Sequence, residues 1–271
     1  MGPGLAGGSV PPFVLAMEAA QKRQVATFRL MFIATWIAIL LFVGGFLFLS
    51  VGINVDFLQT WAPFILGGVP ITLFISVVSI FMAVVLAVLG ALGRISSNPI
   101  LNGIASLYVS VVRGTPLIVQ ILFIYLALPS AGIIVPELPS GILALGFNYG
   151  AYLTEVFRAG IQAVPNGQVE AARSLGLPER QVLRRIVLPQ AVRIVIPAVG
   201  NDFISMTKDS ALVSVIGVQE LLWRAQAAGR PTGQSFQTIV MAALVYWVMT
   251  LVLSTFQARL ERRMAAGDRN R

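Results

Sequence analysis

The chain has 271 residues, 57% of them hydrophobic and only 11% charged, where an ordinary soluble domain carries about a quarter charged. So few charges cannot clothe a water-exposed surface, and a mean hydropathy of +0.85 makes lipid the solvent for most of the chain. Cysteine and histidine are absent, which excludes disulfides, thiolate or imidazole metal sites, and Ser–His–Asp or Cys–His catalysis.

Carboxylates show no clustered metal signature, so the expectation is no metal and no catalytic residue. Lys22 and Lys208 are the lysines, and neither follows a glycine, so no G-x-x-x-x-G-K-[ST] phosphate loop exists. Nucleotide energy, if used, must enter through another chain. The net charge of +8 would suit nucleic acid in a soluble protein, but in a membrane protein it reports which loops stay inside.

Residues 1–27 read as a tail, of which 1–12 are rich in Gly and Pro and expected to be disordered. The first apolar run, Phe28 to Val51, follows Lys22 and Arg23 and is long enough to span. It has no small-residue cleavage pattern, so it reads as an anchor helix (28–52), not a signal peptide. A second run covers Phe64 to Leu92. A third, about Ile100 to Leu128, contains Arg113 followed by Gly114-Thr115-Pro116, a sequence that breaks or kinks the helix where the charge sits. The fourth, Leu138 to Ala159, bears Asn148, Glu155 and Arg158. A fifth, Val192 to Val218, is interrupted by Asn201, Asp202, Lys208, Asp209 and Ser210, and the sixth is Phe236 to Phe256. The fold class predicted is all-α and integral to the membrane, with about six transmembrane helices. Residues 64–258 form its five-helix core, with a polar loop at 160–190 and a basic tail at 259–271.

With the N-terminus inside, fifteen basic residues fall on the cytoplasmic side, and Arg224 and Arg230 fall on the other. Arg113 and Lys208 lie within spans. Both termini and the 160–190 loop are therefore expected in the cytoplasm.

That loop reads as two short helices. Ala171, Ala172 and Leu175 share a face of the first, and Glu170 and Arg173 are spaced to pair. Gly176 suits a left-handed helix end and Pro178 the first turn of a second helix. In the latter, Val182, Leu183, Ile186 and Val187 oppose Arg180, Gln181, Arg184 and Arg185, and Pro189 ends or kinks it. Three uses fit this hairpin. It can rest on anionic headgroups, imitate a DNA-reading helix-turn-helix, or dock a cytoplasmic partner. Against DNA, it has no third helix to complete a core and is pinned at the bilayer.

Glu170-Ala171-Ala172, then Gly176, then Ile186-x-Leu188-Pro189 resembles the EAA loop of permease subunits of ATP-binding-cassette importers. RGTPLIVQ (113–120), GAYLTEVFRAGIQAVPNGQVEAARSLGL (150–177) and LPQAVRIVIPAVGNDFISMTKDSALVSVIGVQEL (188–221) resemble its polar amino-acid branch. The likeness covers about Phe64 to Arg263. Compact members of that branch have five spans, so Phe28–Val51 is an addition.

The resemblance implies an importer permease in a bacterial inner membrane, forming the translocation pathway. Its implied partners are a second permease, the same chain or a homologue, and a pair of ATP-binding subunits that hold ATP and magnesium. An extracytoplasmic binding protein would deliver a polar amino acid, and no cofactor or nucleic acid is expected in this chain. Glu170, Ala171, Ala172, Arg173 and Gly176 become the expected contacts to the ATP-binding subunit. For the pathway the candidates are Asn148, Tyr152, Glu155, Asn201, Asp202 and Lys208, since ionisable groups inside a membrane are functional by default. Glu155 or Asp202 would meet the solute's ammonium, and Lys208 or freed backbone N–H groups its carboxylate. Pairing of Glu155 with Arg158, or of Lys208 with Asp202 or Asp209, would instead hold helices together. The competing function is a stand-alone ion-coupled secondary transporter or channel, in which the hairpin is only a loop.

Overall fold

The computed structural model of the chain describes residues 12–52 and 54–269, and all its elements are helices. Contacts divide it between Val55 and Asp56. The first unit is one helix, α1 (Pro12–Val51), whose apolar stretch Ala20–Phe46 is long enough to cross a bilayer. The run expected at Phe28 is the later part of this helix. Nothing between Met17 and Thr27 breaks the periodicity, and Ala, Gln, Glu and Lys favour helix there. Of the tail expected at 1–27, residues 1–11 lie outside the described residues, and from Pro12 onward it is helix. Phe28, Phe32 and Trp36 stack along one side, with ring centroids 6.3 and 5.9 Å apart.

The second unit begins with α2 (Val55–Leu66) and, after Gly67-Gly68, α3 (Val69–Ile95). Next comes α4 (Pro99–Arg113), capped by Asn98, whose side chain accepts from Ile100 N and Leu101 N at 2.9 and 3.4 Å, with Pro99 in the first turn. A bend of 106° over 114–116 leads into α5 (Leu117–Ser130), so the Gly-Thr-Pro signal marks a true break and the third span is two half-length helices. The remaining elements are α6 (Glu137–Gln162), α7 (Asn166–Ser174), α8 (residues 179–209), a 3-10 segment Ser210–Ile216, α9 (Leu221–Gly229) and α10 (Ser235–Arg269).

Three described helical stretches are long and apolar enough to span: Ala20–Phe46, Val55–Ile95 and Ser235–Met264. The bent α4–α5 pair makes a fourth. The fourth and fifth expected runs are present as α6 and α8 but are less uniformly apolar, because α6 carries buried Asn148 and Thr154 and α8 carries Arg193, Asn201, Asp202, Lys208 and Asp209. The fifth helix also stops at Asp209. There the chain tightens into the 3-10 segment, with the Ser210 hydroxyl donating to Thr207 O at 2.8 Å and Gly217 left-handed at φ 93°. By length and composition, the described residues thus hold three membrane-spanning stretches and a bent fourth.

Small residues set the centre of the second unit. On α3, Ala83, Ala87, Gly90 and Ala91 are buried; on α6, so are Gly146, Gly150 and Thr154. A β-carbon built on Gly90 would lie 2.9 Å from Thr154 Cγ2, so the α3 backbone packs directly against the Thr154 side chain of α6. Between lipid-bathed helices such close packing replaces the hydrophobic drive that water supplies elsewhere. Ile75, Leu145, Leu153, Met206 and Val213 complete that core. A separate cluster of Ile65, Leu221, Ala225 and Ala242 joins α2, α9 and α10.

Gly90→Leu forces overpacking at the α3–α6 contact, typically about 1–3 kcal/mol. The thermal midpoint of the detergent-purified chain is expected to fall by several degrees. Gly103→Leu, where a β-carbon meets nothing within 4 Å, should leave it nearly unchanged.

Candidate functional site

The hairpin is built from a turn that only glycine adopts without strain. α7 ends in a Schellman arrangement, with Leu177 N donating to Ala172 O (3.2 Å) and Gly176 N to Arg173 O (2.9 Å), Gly176 being at φ 75°. The chain then reverses through Pro178 into α8. Val164, Ala172, Val182 and Val187 meet inside, flanked by Val169, Leu177 and Ile186. Ala172, expected at the contact surface, is only 2% exposed and fills the hairpin's own core. Glu170 and Ala171 are exposed, and Leu175 at the tip is 82% exposed.

The spacing also suggested a Glu170–Arg173 pair. In the structure Arg173 turns to Glu179, its Nε donating to Oε1 at 2.6 Å and its Nη2 to Oε2 at 3.1 Å. The reversal at Gly176 brings Glu179 alongside, and a two-pronged pair is geometrically superior to a single-turn contact. These hydrogen bonds hold the Glu179 carboxyl below the usual carboxylate range. The clasp is thus complete above that range and is lost as pH falls through the lowered value. Both side chains are exposed to water, so its contribution is screened.

Pro189 does not end the second helix. A π turn over Leu183–Val187 precedes it, and the helix continues to Asp209. The i→i+5 spacing accommodates a residue with no N–H, and it buries Val182 and Val187 while leaving Leu183 half out. Gln190 Nε2 donates to Gln168 Oε1 at 2.7 Å and so ties α8 to α7.

Further along α6 an open cavity of about 590 Å³ lies between the α4–α5 break, α6 and α8. Arg113, Gly114, Thr115 and Pro116 come from the break, Asn148, Tyr149 and Tyr152 from α6, and Asp202, Ser205 and Asp209 from α8. The Arg113 guanidinium sits 5.0 Å from the Tyr152 ring centroid, and the Tyr149 hydroxyl donates to Asp209 Oδ2 at 2.7 Å. The cavity therefore presents one cation and two carboxylates, one of them steered by a phenol.

Of the expected pathway residues, Asn148, Tyr152 and Asp202 come together here. Asn201 and Lys208 are exposed on other faces of α8. Glu155 is absent from the cavity and engaged by Arg94 and Arg158. Arg113, placed by the sequence at the helix break and not among the pathway candidates, lines the cavity, and Tyr149, Ser205 and Asp209 were missed. Ser205 and Asp209 stand three and seven residues beyond Asp202, on the same helical face, which is the signal that could have found them. Another unforeseen group is Glu220, fully buried, which caps α9 by accepting from Trp223 N at 2.8 Å and bonds the hydroxyls of Tyr246 and Thr72. Among the described residues no group of three or more acidic side chains could hold a metal.

Residues 83–266 match the model of a protein family described as binding-protein-dependent transport system inner membrane component. The chain is similar to the arginine transport system permease protein ArtQ of Bacillus subtilis (strain 168). They are 38% identical over 218 residues, which is 79% of this chain and 100% of that protein. It is also similar to the histidine/lysine/arginine/ornithine transport system permease protein HisQ of Escherichia coli (strain K12), 36% identical over 214 residues, 75% of this chain and 94% of that one. Among solved structures it resembles a chain of an amino acid ABC transporter crystallised with histidines. There the TM-score is 0.74 and the identity 40%, with 78% of this chain and 100% of the other covered.

Burial of Ala172 separates it from its neighbour. Ala172→Asp puts an unpaired carboxylate inside the hairpin, and tryptic cleavage within residues 173–193 is expected to accelerate on the order of ten-fold or more as the hairpin opens. Ala171→Asp, on the exposed face, should be cleaved at the unaltered rate.

Proposed function

The chain belongs to the family of binding-protein-dependent transport system inner membrane components, and from that premise we propose that it is the permease of an ATP-driven importer of polar amino acids. The observation that carries this reading is the cavity lined together by Arg113 of α4, Tyr149 and Tyr152 of α6, and Asp202 and Asp209 of α8. A free amino acid is a zwitterion. Arg113 can take its carboxylate in a two-pronged contact, and Asp202 its ammonium. One arginine against two aspartates leaves one carboxylate over, Asp209, held toward the cavity by Tyr149. That surplus favours basic or amide side chains over acidic ones. Relatives named for arginine and for histidine, lysine, arginine and ornithine support the same preference.

The hairpin supplies the coupling. With fifteen basic residues on its side of the membrane against two on the other, it and both termini face the cytoplasm. There it meets an ATP-binding subunit of a pair that holds ATP and magnesium. Glu170, Ala171, Arg173, Leu175 and Gly176 form the contact, and Ala172 gives the surface its shape from within. A second permease completes the pathway, and an external binding protein delivers the solute. Closure of the ATP-binding pair pulls on two hairpins, and the helices carrying them rock as rigid bodies to change which side of the cavity is open. Bond chemistry belongs to the partners.

In proteoliposomes holding the full complex, uptake of radiolabelled L-arginine, L-histidine or L-glutamine should require ATP and the binding protein and survive an ionophore. Uptake that follows an ion gradient and ignores ATP sinks the reading. Asp202→Asn should raise the half-saturating solute concentration about ten-fold or more, the worth of a charge-assisted contact. Ala171→Arg should abolish co-purification of the ATP-binding subunit while membrane insertion persists.

A further inference from the structure

Between the hairpin and the cavity, at an intermediate level of α6, lies an ion cluster. Glu155 accepts Arg94 Nε at 3.1 Å and Arg158 Nη2 at 2.7 Å. Arg94, in the last turn of α3, also donates to Ser106 Oγ on α4. Ser106 in turn donates to Asn102 Oδ1 at 3.1 Å, and Asn102 Nδ2 returns to Arg94 O at 2.8 Å. Arg158 Nη1 reaches Gln162 Oε1, on the last residue of α6, at 2.6 Å. One carboxylate thereby joins three helices. Its side chain is 20% exposed, and those of the two arginines 29% and 30%, so the bonds are partly shielded from water.

Helix packing alone does not require this cluster, because α3 and α6 already meet in glycine contact at Gly90. Its place suggests transmission. Toward the cavity, α6 carries Tyr152 and Asn148, about one and two turns from Glu155, and α4 carries Arg113 two turns from Ser106. Those two helices touch again where Arg113 lies over Tyr152. In the other direction Gln162 is two residues from Val164, which is buried in the hairpin core.

We propose that Glu155 is a positioning residue that fastens α3 and α4 to the hairpin end of α6, so that hairpin movement arrives at the cavity as a displacement of Arg113 against Tyr152. This rests on the importer reading above. Coupling between separated sites needs a physical connection with two arrangements. Two guanidiniums on one carboxylate provide it, since either bond can lengthen while the charge stays compensated by the other.

The test uses the whole complex in proteoliposomes, with an equal mixture of radiolabelled L-arginine, L-histidine, L-glutamine and L-cystine as solute, measuring uptake and ATP hydrolysis together. For Glu155→Gln and for Arg94→Gln, the complex should assemble and hydrolyse ATP while solute moved per ATP falls about ten-fold. Glu155→Asp should recover part of the loss, and the double variant should be no worse than either single one, because both break the same connection. A raised half-saturating concentration with unchanged solute per ATP would make Glu155 a solute ligand and overturn the proposal. Loss of the assembled complex in both single variants would make the cluster merely structural and overturn it equally. If the unaltered complex shows no ATP-driven uptake, the importer reading fails instead, and that outcome is visible before any substitution is made.

Discussion

A bilayer offers a peptide group nothing to bond with, so every backbone N–H and C=O at membrane depth must find its partner inside the protein. That constraint decides where this chain can leave the helix. At the α4–α5 break Pro116 has no N–H to give to Val112 O, four residues earlier, and Gln120 Nε2 fills the place at 2.8 Å while also serving Thr115 O at 3.0 Å. The Thr115 hydroxyl covers Val111 O at 3.0 Å. At Gly67-Gly68, where Gly68 N turns to Ile65 O, Arg224 Nη1 donates to Phe64 O at 3.2 Å. Each π turn ends two residues before a proline, Pro129 or Pro189, where the longer bond relieves the same deficit. The cavity opens at the α4–α5 break, where satisfied non-helical backbone leaves room for a pocket beside a charge.

The second consequence concerns stiffness. Because α3 and α6 approach through Gly90, Gly146 and Gly150, with Leu86, Met82 and Thr154 filling the opposite positions, they form a pair with little freedom to slide. A force applied at the end of α6 therefore moves more than α6. The hairpin is likewise a small solid: its apolar core, the Schellman turn and the Arg173–Glu179 clasp fix its bend without any partner present. Movement has to be absorbed elsewhere, and the 106° break is the natural place, since α4 and α5 are short and joined by three residues.

Much of this was legible in the sequence, and the division follows the range of the interactions. Hydrophobic runs, the break at Gly114-Thr115-Pro116 and the reversal at Gly176 depend on residues a few positions apart. The break and the reversal were read correctly, and the runs marked helices but not all their ends, since the first starts at Pro12 and the fifth stops at Asp209. The partner of Arg173 was not. Choosing Glu179 over Glu170 requires knowing how tightly the chain returns past Gly176. The same limit hid the roles of Tyr149 and Arg94, whose partners Asp209 and Glu155 are 60 and 61 residues away. Ala172 misled for a different reason. A small residue in a hairpin suits both close approach by a partner and a tight interior, and the motif does not say which. Arg113 was recognised as costly in a span, but whether such a charge seals a break or faces a cavity depends on the helix packed across from it.

Seen along α6, the polar groups fall into levels: Asn148, Tyr149 and Tyr152 at the cavity, then Glu155 and Arg158 in the ion cluster, then the exit through Gln162 into the hairpin. Between these levels Gly150, Ala151, Leu153 and Thr154 are buried, Gly150 and Thr154 against Leu86 and Gly90 of α3. This order explains why α6 is too polar to pass as an ordinary span although it is 26 residues long. Its lipid-facing share is small, since α3, α4, α5 and α8 all pack on it, and polar side chains are tolerated because protein, not hydrocarbon, surrounds them. A helix so enclosed is poorly placed to anchor the chain in lipid. It is well placed to carry displacement, because it is tied to its neighbours at successive levels: α8 through Tyr149, α4 where Arg113 lies over Tyr152, α3 through Glu155, and the hairpin through its own continuation.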